Sequence, residues 1–335
     1  MTQQESEVRY LGSNWDSISG IHRFSHEAMA TTFEILILHD DAQYAKQAAW
    51  EAFDELDRLE AELSRFIENS DIARINNLAT NQSLPIGLAA FECLQLSAQV
   101  YNETNGAFDI TIGSLFSCWL NEDKTARQPS DEKLDFARRH TGTHLLKLDE
   151  AEHTVELLTS PVQVDLGGIG KGYAVDKMAE LLREWSIDTA LLHAGYSSVL
   201  AFGCPSGTNG WPVTLSNPPR RFASQTRSSG GKQTLARLHL RDMALAGSGL
   251  QKGRHIIDPR TYRPVEGKLA AWASAATAAT ADALSTAFMA MSPDEVGKYC
   301  LNHSDTLAMV VLEKSDKETG EDNVLRFGQC DELLI

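Results

Sequence analysis

Apolar positions along the chain recur with two different periods. At Thr31–Leu38 the run TTFEILIL is rich in β-branched and aromatic residues and predicts a strand. Beyond it, Ala49, Ala52, Phe53, Leu56, Leu59 and Leu63 recur at helical spacing, with Asp54, Glu55, Asp57, Arg58, Glu60 and Glu62 between them. This predicts an amphipathic helix over about 41–64 with a charged, solvated face. A second helix, about 87–103, runs into Asn105-Gly106, residues suited to a C-terminal cap. Leu145–Leu148 and Val155–Leu158 predict a hairpin across Asp149–His153. A strand at Val162–Leu166 then leads into a glycine cluster and a helix at about 172–185. Short strands follow at Ala190–His193, Ser198–Phe202, Val213–Leu215 and Leu235–Leu240. Helices at about 278–291 and 293–301 and a strand at Leu307–Leu312 complete the pattern. Strands and helices mix without strict alternation, which points to an α+β fold over a doubly wound sheet.

Composition narrows what such a chain handles. Its 335 residues allow about two domains or one large two-lobed one, and 42% apolar against 23% charged residues excludes wholesale disorder, collagen and coiled coil. Thirty lysines and arginines against 46 acidic residues leave a net charge of −16. That field repels phosphate backbones and anionic membranes, so nucleic acid is not an expected partner. An anionic ligand would have to be held by local devices: a metal ion, a helix N-terminus or one or two placed cations. No stretch reaches the roughly 20 apolar residues of a membrane span, and MTQQESEVRYLGSNWDS has neither a basic nor an apolar leader region. Five scattered cysteines (Cys93, Cys118, Cys204, Cys300, Cys330) match no metal or redox spacing. A cytoplasmic protein with reduced thiols and no stable membrane insertion is expected. Residues 1–22 read as a loosely held tail and 23–335 as one two-lobed domain. Within it, the polar SNPPRRFASQTRSSGGKQ of 216–233 reads as a mobile surface loop.

Four segments carry candidate chemistry. In QVDLGGIGKGYAVD (163–176) a strand ends in an aspartate and a glycine-rich turn delivers Lys171 at the start of a helix. Glycines let a backbone approach a ligand and a helix N-terminus attracts anions. The spacing is neither a Walker loop nor a Rossmann fingerprint, and a ligand-free structural corner is the other reading. In AATADALSTAFMAM (278–291), Asp282 and Thr286 stand four residues apart and share a helix face. They suit a hard cation such as Mg²⁺; the other reading is a dipole-stabilised aspartate and a threonine bonded to its own backbone. His255, in GSGLQKGRHIIDPRTYRP (247–264), is placed to be a general base or a structural histidine. NGAFDITIGSLFSCW (105–119) is apolar enough to line a pocket for a flat ring, or to be core.

Taken in order, these segments resemble one family, the FAD:protein FMN transferases of the ApbE type. The resemblance runs from about Met29 to Asp294. It is carried by MATTFEI, LSRF…SDIARIN, GAFDITIGSL, VDLGGIGKGYAVD, HIIDPRT and ADALSTAF. It implies a two-lobed, T-fold-like α+β architecture with FAD in the cleft between the lobes and Mg²⁺ at its diphosphate. The implied reaction moves the FMN half of FAD onto a threonine or serine hydroxyl of an acceptor protein and releases AMP. The resemblance implies that Met29 packs near the flavin, that Phe66 lies against the isoalloxazine, and that Ala107, Phe108 and Asp109 line the cleft. Asp165, Lys171 and Ile257 are then FAD contacts, the Gly168 carbonyl with Asp282 and Thr286 the metal ligands, and His255 the base.

The chain also departs from the family. Tyr196 and Tyr262 stand where the family carries glycines, in HAGYSS and in DPRTY. Ser274-Ala-Ala-Thr277 is similar to the motif these enzymes modify, but it lacks the leading aspartate, and Thr277 is expected as a helix cap instead. Two other functions remain open at this level: an FAD pyrophosphatase with water in place of the acceptor, and a non-catalytic FAD store.

Overall fold

The chain is described by a computed structural model at residues 11–12, 15, 20–121, 125–195, 197–216, 218, 234–250, 255–313 and 324–329. Its first half runs β1 (Leu11–Gly12), β2 (Ile21–Ala28), β3 (Thr31–Leu38), α1 (Ala42–Leu63), α2 (Asp71–Asn76), β4 (Ser83–Pro85), α3 (Leu88–Glu103), α4 (Gly113–Trp119), α5 (Asp131–Arg139), β5 (Leu146–Asp149) and β6 (Thr154–Leu157). The second half begins at α6 (Gly170–Glu184) and continues with β7 (Ala190–Ala194), β8 (Ser198–Phe202), β9 (Trp211–Ser216), β10 (Thr234–Leu240), β11 (Met243–Gly249), β12 (Ile257–Asp258) and β13 (Arg263–Pro264). It ends with β14 (Lys268–Ala275), α7 (Ala278–Ala290), α8 (Pro293–Asn302), β15 (Ala308–Leu312) and β16 (Val324–Phe327).

An eight-stranded antiparallel sheet, in the order β16-β15-β14-β11-β8-β7-β3-β2, organises the molecule. Alternation along its strands sends side chains to two cores. Phe33, Ile35, Ile37, Leu192, Leu200, Ala271 and Ala273 pack against α1, α3, α6 and α7 in the larger core. Leu36, Leu191, Val199, Ala201 and Trp272 face the other way and pack on a three-stranded sheet, β1-β9-β10. A third cluster gathers Ile112, Leu115, Cys118, Ala137 and Ile257. Sheets β4-β6-β5 and β12-β13 are small annexes. The α+β class is as expected, and among the described residues no helix is long and apolar enough to cross a membrane.

The helices begin where their caps place them. Asp41 accepts hydrogen bonds from the Gln43 and Tyr44 amides at the head of α1. Thr277 accepts from the Thr280 amide at the head of α7, the capping role expected of it. A capping box, Ser292 with Glu295, opens α8 with Pro293 in its first turn.

Two expectations need correction. Val162–Leu166 is not a ladder strand. Only Gln163 bridges Ile112, while the Asn76 side chain accepts from the Val164 amide (2.6 Å) and donates to its carbonyl (3.0 Å). A side-chain amide has taken the place of a neighbouring strand. Next, β2, β11, β14 and β16 are strands that the periodicity did not show. The runs MALAGSG and KLAAWASA are poor in β-branched residues, but both faces of these strands are covered, and small side chains let the alanine-rich α7 sit close. Within the span read as a tail, 1–22, the described residues make contacts with the rest of the chain. Leu11 and Gly12 pair with Leu215 and Thr214, Trp15 is 6% exposed and donates to the Pro212 carbonyl, and Ile21 begins β2. Of the loop read at 216–233, only Ser216 and Pro218 are among the described residues. Tyr196 and Cys330 also lie outside them.

Candidate active site

The glycine turn is held from both sides. Asn76 grips Val164 as above, and the Asp165 amide donates to the Ile110 carbonyl (2.7 Å). The Asp165 carboxylate accepts from the Gly167 amide (2.7 Å) and forms an ion pair with Arg65 (2.9 Å). At Gly168 a Cβ would stand 3.2 Å from the Phe108 ring and 3.3 Å from Thr286 Oγ1. A side chain there would separate the turn from α7. Helix α6 starts at Gly170, two residues earlier than expected, so Lys171 and Gly172 lie in its first turn. A Cβ on Gly172 would run into the Ala278 carbonyl, so only glycine allows this crossing of α6 with α7.

Asp282 sits where the two helices meet and is 3% exposed. Its Oδ2 accepts from the Gly172 amide (3.2 Å), supplying a partner to a helix N-terminus with no side-chain cap of its own. Its Oδ1 accepts from Ser198 Oγ (2.9 Å) at the start of β8. Lys171 Nζ lies 3.5 Å from Oδ2 and donates to the Gly167 carbonyl (3.3 Å). Hydroxyls continue from Asp282 along α7. Ser285 Oγ donates to the Asp282 carbonyl (2.9 Å), and Ser248 Oγ on β11 lies 2.8 Å from Ser285 Oγ and 3.1 Å from Thr286 Oγ1. The head of α7 is anchored by Asp176 of α6, whose carboxylate accepts from the Ala278 (2.7 Å) and Ala279 (2.8 Å) amides. Burial pushes the pKa of Asp176 up to about 6, although those amides favour the ionised form.

This oxygen set suits a hard cation. The buried Asp282 carboxylate is ion-paired with Lys171 at 3.5 Å and accepts from the Ser198 hydroxyl, with the Ser248 and Thr286 hydroxyls paired beyond it. Among the described residues there is no group of three or more His, Cys, Asp and Glu side chains fit for a metal. A few oxygen donors of this kind could hold a hard divalent ion that completes its shell with water and ligand phosphates.

The structure brings Phe108, Asp165, Gly168, Lys171, Asp282 and Thr286 together, with Phe66 joined to them through Arg65. Phe66 is 82% exposed on the loop between α1 and α2. The other candidates have contacts of their own. Met29, in the β2–β3 turn at φ +50°, donates its amide to Glu60 of α1 (2.7 Å). Ala107 is buried in the core. The Asp109 carboxylate is engaged internally, by the Thr111 amide and hydroxyl (2.8 and 2.6 Å) and by Thr143 (3.2 and 2.9 Å), and burial raises its pKa. The Ile257 side chain belongs to the third cluster. His255 is half-buried two residues before that strand residue, on the loop fastened by Arg260. Arg260 bonds to Asp258 (3.0 Å), Glu295 (2.8 Å) and the Ala290 carbonyl (3.0 Å) at the end of α7.

Sequence reading passed over Ser198, Ser248, Ser285, Asn76 and Arg65. A serine on a short strand carries no signature by itself. Asn76 and Arg65 lay inside a quoted motif, but their bonds to Val164 and Asp165 span 88 and 100 positions and show only in the fold.

Comparison with known proteins identifies the family. The ApbE family profile matches residues 29–311. A protein of Chlamydia trachomatis serovar D named FAD:protein FMN transferase is 29% identical over 293 residues, covering 82% of this chain and 87% of that one. One of the same name from Escherichia coli K12 is 25% identical over 305 residues, 88% and 85% of the two chains. In fold, the chain superimposes on the apo flavinyl transferase ApbE of Pseudomonas stutzeri with a TM-score of 0.80 at 22% identity, covering 93% of this chain and 96% of that one. For flavin transferase ApbE of Vibrio cholerae the TM-score is 0.79 at 21% identity, with 94% and 100% covered. With the profile spanning every segment from the β2–β3 turn to β15, the chain belongs to the ApbE family.

Proposed function

We propose that this protein transfers the FMN half of FAD to a threonine or serine hydroxyl of an acceptor protein, with AMP as the leaving group. Family membership and the names of the relatives support the reading. The observation that carries it is the convergence of Gly168, Asp282 and Thr286 at the head of α6. A strongly acidic chain needs a local device for a diphosphate. Here the α6 N-terminus, the glycine turn and the Lys171 ammonium supply one.

In this reading the isoalloxazine lies on Phe66 and the diphosphate runs over Gly167 and Gly168. Asp282, Thr286 and the Gly168 carbonyl would hold Mg²⁺, which when bound offsets charge on the departing phosphate. Ser198 fixes one Asp282 oxygen and the Gly172 amide the other, so the carboxylate cannot turn away. Ser248 sets the direction of the Thr286 hydroxyl. His255 accepts the proton of the acceptor hydroxyl as its oxygen bonds to the FMN phosphorus. The bond from that phosphorus to the bridging oxygen breaks, and AMP leaves with the electron pair. Arg260 holds the His255 loop against the far end of the helix that carries Asp282, so base and cation site share one frame.

The test mixes the protein with FAD, Mg²⁺ and an extract of the source cell. AMP release together with a newly fluorescent protein band on a denaturing gel is expected. AMP with free FMN and no labelled band would identify a pyrophosphatase, and absence of both products would leave a flavin store.

A further inference from the structure

Phe66 is an unusual plate for a ring ligand: its side chain is 82% exposed, on a turn whose backbone is closed by Ile67 and Ser70 amide bonds to Ser64 and Ile67. An exposed phenyl on a turn samples several rotamers, and a ligand that stacks on it must halt that motion at an entropic cost. Here one neighbour limits it. The Arg65 guanidinium carbon lies 4.6 Å from the centre of the Phe66 ring, within cation–π range. The same guanidinium forms an ion pair with Asp165, its Nε lying 2.9 Å from Oδ2. Asp165 is itself fixed by the Gly167 amide and by its own amide on Ile110. An unbroken line of contacts therefore runs from the glycine turn through Asp165 and Arg65 to the ring. One face of the ring is taken by the guanidinium, which leaves the other for a planar ligand.

We infer that Arg65 is a positioning residue that pre-sets Phe66 for the flavin ring, with Asp165 as its fixed point. The inference rests on the proposed FAD reading and adds a residue to it. Arg is suited to the task because a planar, delocalised cation can stack and accept an ion pair at once, which an ammonium does less well.

The experiment measures dissociation constants for riboflavin, FMN and AMP with the full-length protein, for the parent, Arg65→Ala, Arg65→Lys, Phe66→Ala and the 65/66 double alanine variant, with thermal unfolding of each. Arg65→Ala should weaken riboflavin and FMN about 2- to 5-fold, the range of one exposed cation–π contact, and leave AMP unchanged. Arg65→Lys should fall between. In the Phe66→Ala background, removing Arg65 should have no further effect on riboflavin, because the residue acts through the ring. Riboflavin binding unchanged in Arg65→Ala, equal weakening of AMP and riboflavin, or additive losses in the double variant would each overturn the inference. If the parent protein binds none of the three ligands, the FAD reading itself fails, a result distinct from these.

Discussion

Asp282 is the residue on which the candidate site turns, because its buried carboxylate meets the Gly172 amide, the Ser198 hydroxyl and the Lys171 ammonium where α6 and α7 cross. Asp282→Ala should remove Mg²⁺ dependence together with AMP release, read by AMP formation with and without chelator; full activity in chelator would refute the cation assignment. Ser198→Ala should weaken divalent binding about 10-fold, the usual effect of losing a group that orients a ligand, while the fold stays intact; titration with Mn²⁺ checks this. His255→Ala should retain FAD binding and lose AMP release, measured by flavin fluorescence and product assay in parallel. An undiminished rate would take His255 out of the mechanism. Some of this was legible in one dimension. Asp282 and Thr286 share a helix face by spacing alone, and the glycines before Lys171 announce a close approach. Ser198 and Ser248 were illegible because their meaning comes from strands that face α7. In Asp109, a carboxylate in a plausible ligand segment, four hydrogen bonds point inward to Thr111 and Thr143, and no pattern of neighbours could have announced that.

At the scale of elements, the crossing of α6 and α7 sets the geometry, and two residues of α6 control it. Gly172 admits the Ala278 carbonyl, and Asp176 caps α7 from outside. Gly172→Ala should cost about 1–3 kcal/mol through overpacking against backbone, seen in urea unfolding. Asp176 makes stability depend on pH. Its folded pKa near 6 lies above the value of about 3.9 for an unfolded aspartate. Its folded carboxyl therefore holds a proton longer, and the associated stability is complete below pH 4 and is lost as pH rises through 6. Asp176→Asn should flatten this part of the profile; denaturation midpoints from pH 4 to 7 that still fall in parallel with the parent would contradict the assignment. The amphipathic helices α1 and α3 were readable because one face of each meets solvent. Strands β11 and β14 were not, because small residues on a doubly covered strand read neither as alternation nor as β-propensity.

The molecule as a whole is a sheet with helices on one face and a small sheet on the other, and the site lies at the helical face. The opposite face contains a charged group of its own. Burial raises the pKa of Glu34, but hydrogen bonds from His193 (2.6 Å) and Arg23 outweigh it and hold the carboxylate at about 2. Its contribution is present above pH 4.5 and is lost as acid approaches pH 2. Trp15 closes that layer. Trp15→Ala should cost about 3–5 kcal/mol, as for a large aromatic removed from a core, with no direct effect on the active site. Calorimetry together with FAD titration separates the two effects. The central claim concerns where the dinucleotide lies, and a crystal structure of the protein with FAD and Mn²⁺ tests it most directly. The account predicts an anomalous peak about 2.1–2.2 Å from Asp282 and Thr286 oxygens, touching the diphosphate over Gly168, with the isoalloxazine on Phe66. A metal peak away from Asp282, or the flavin dinucleotide in another part of the molecule, would contradict it.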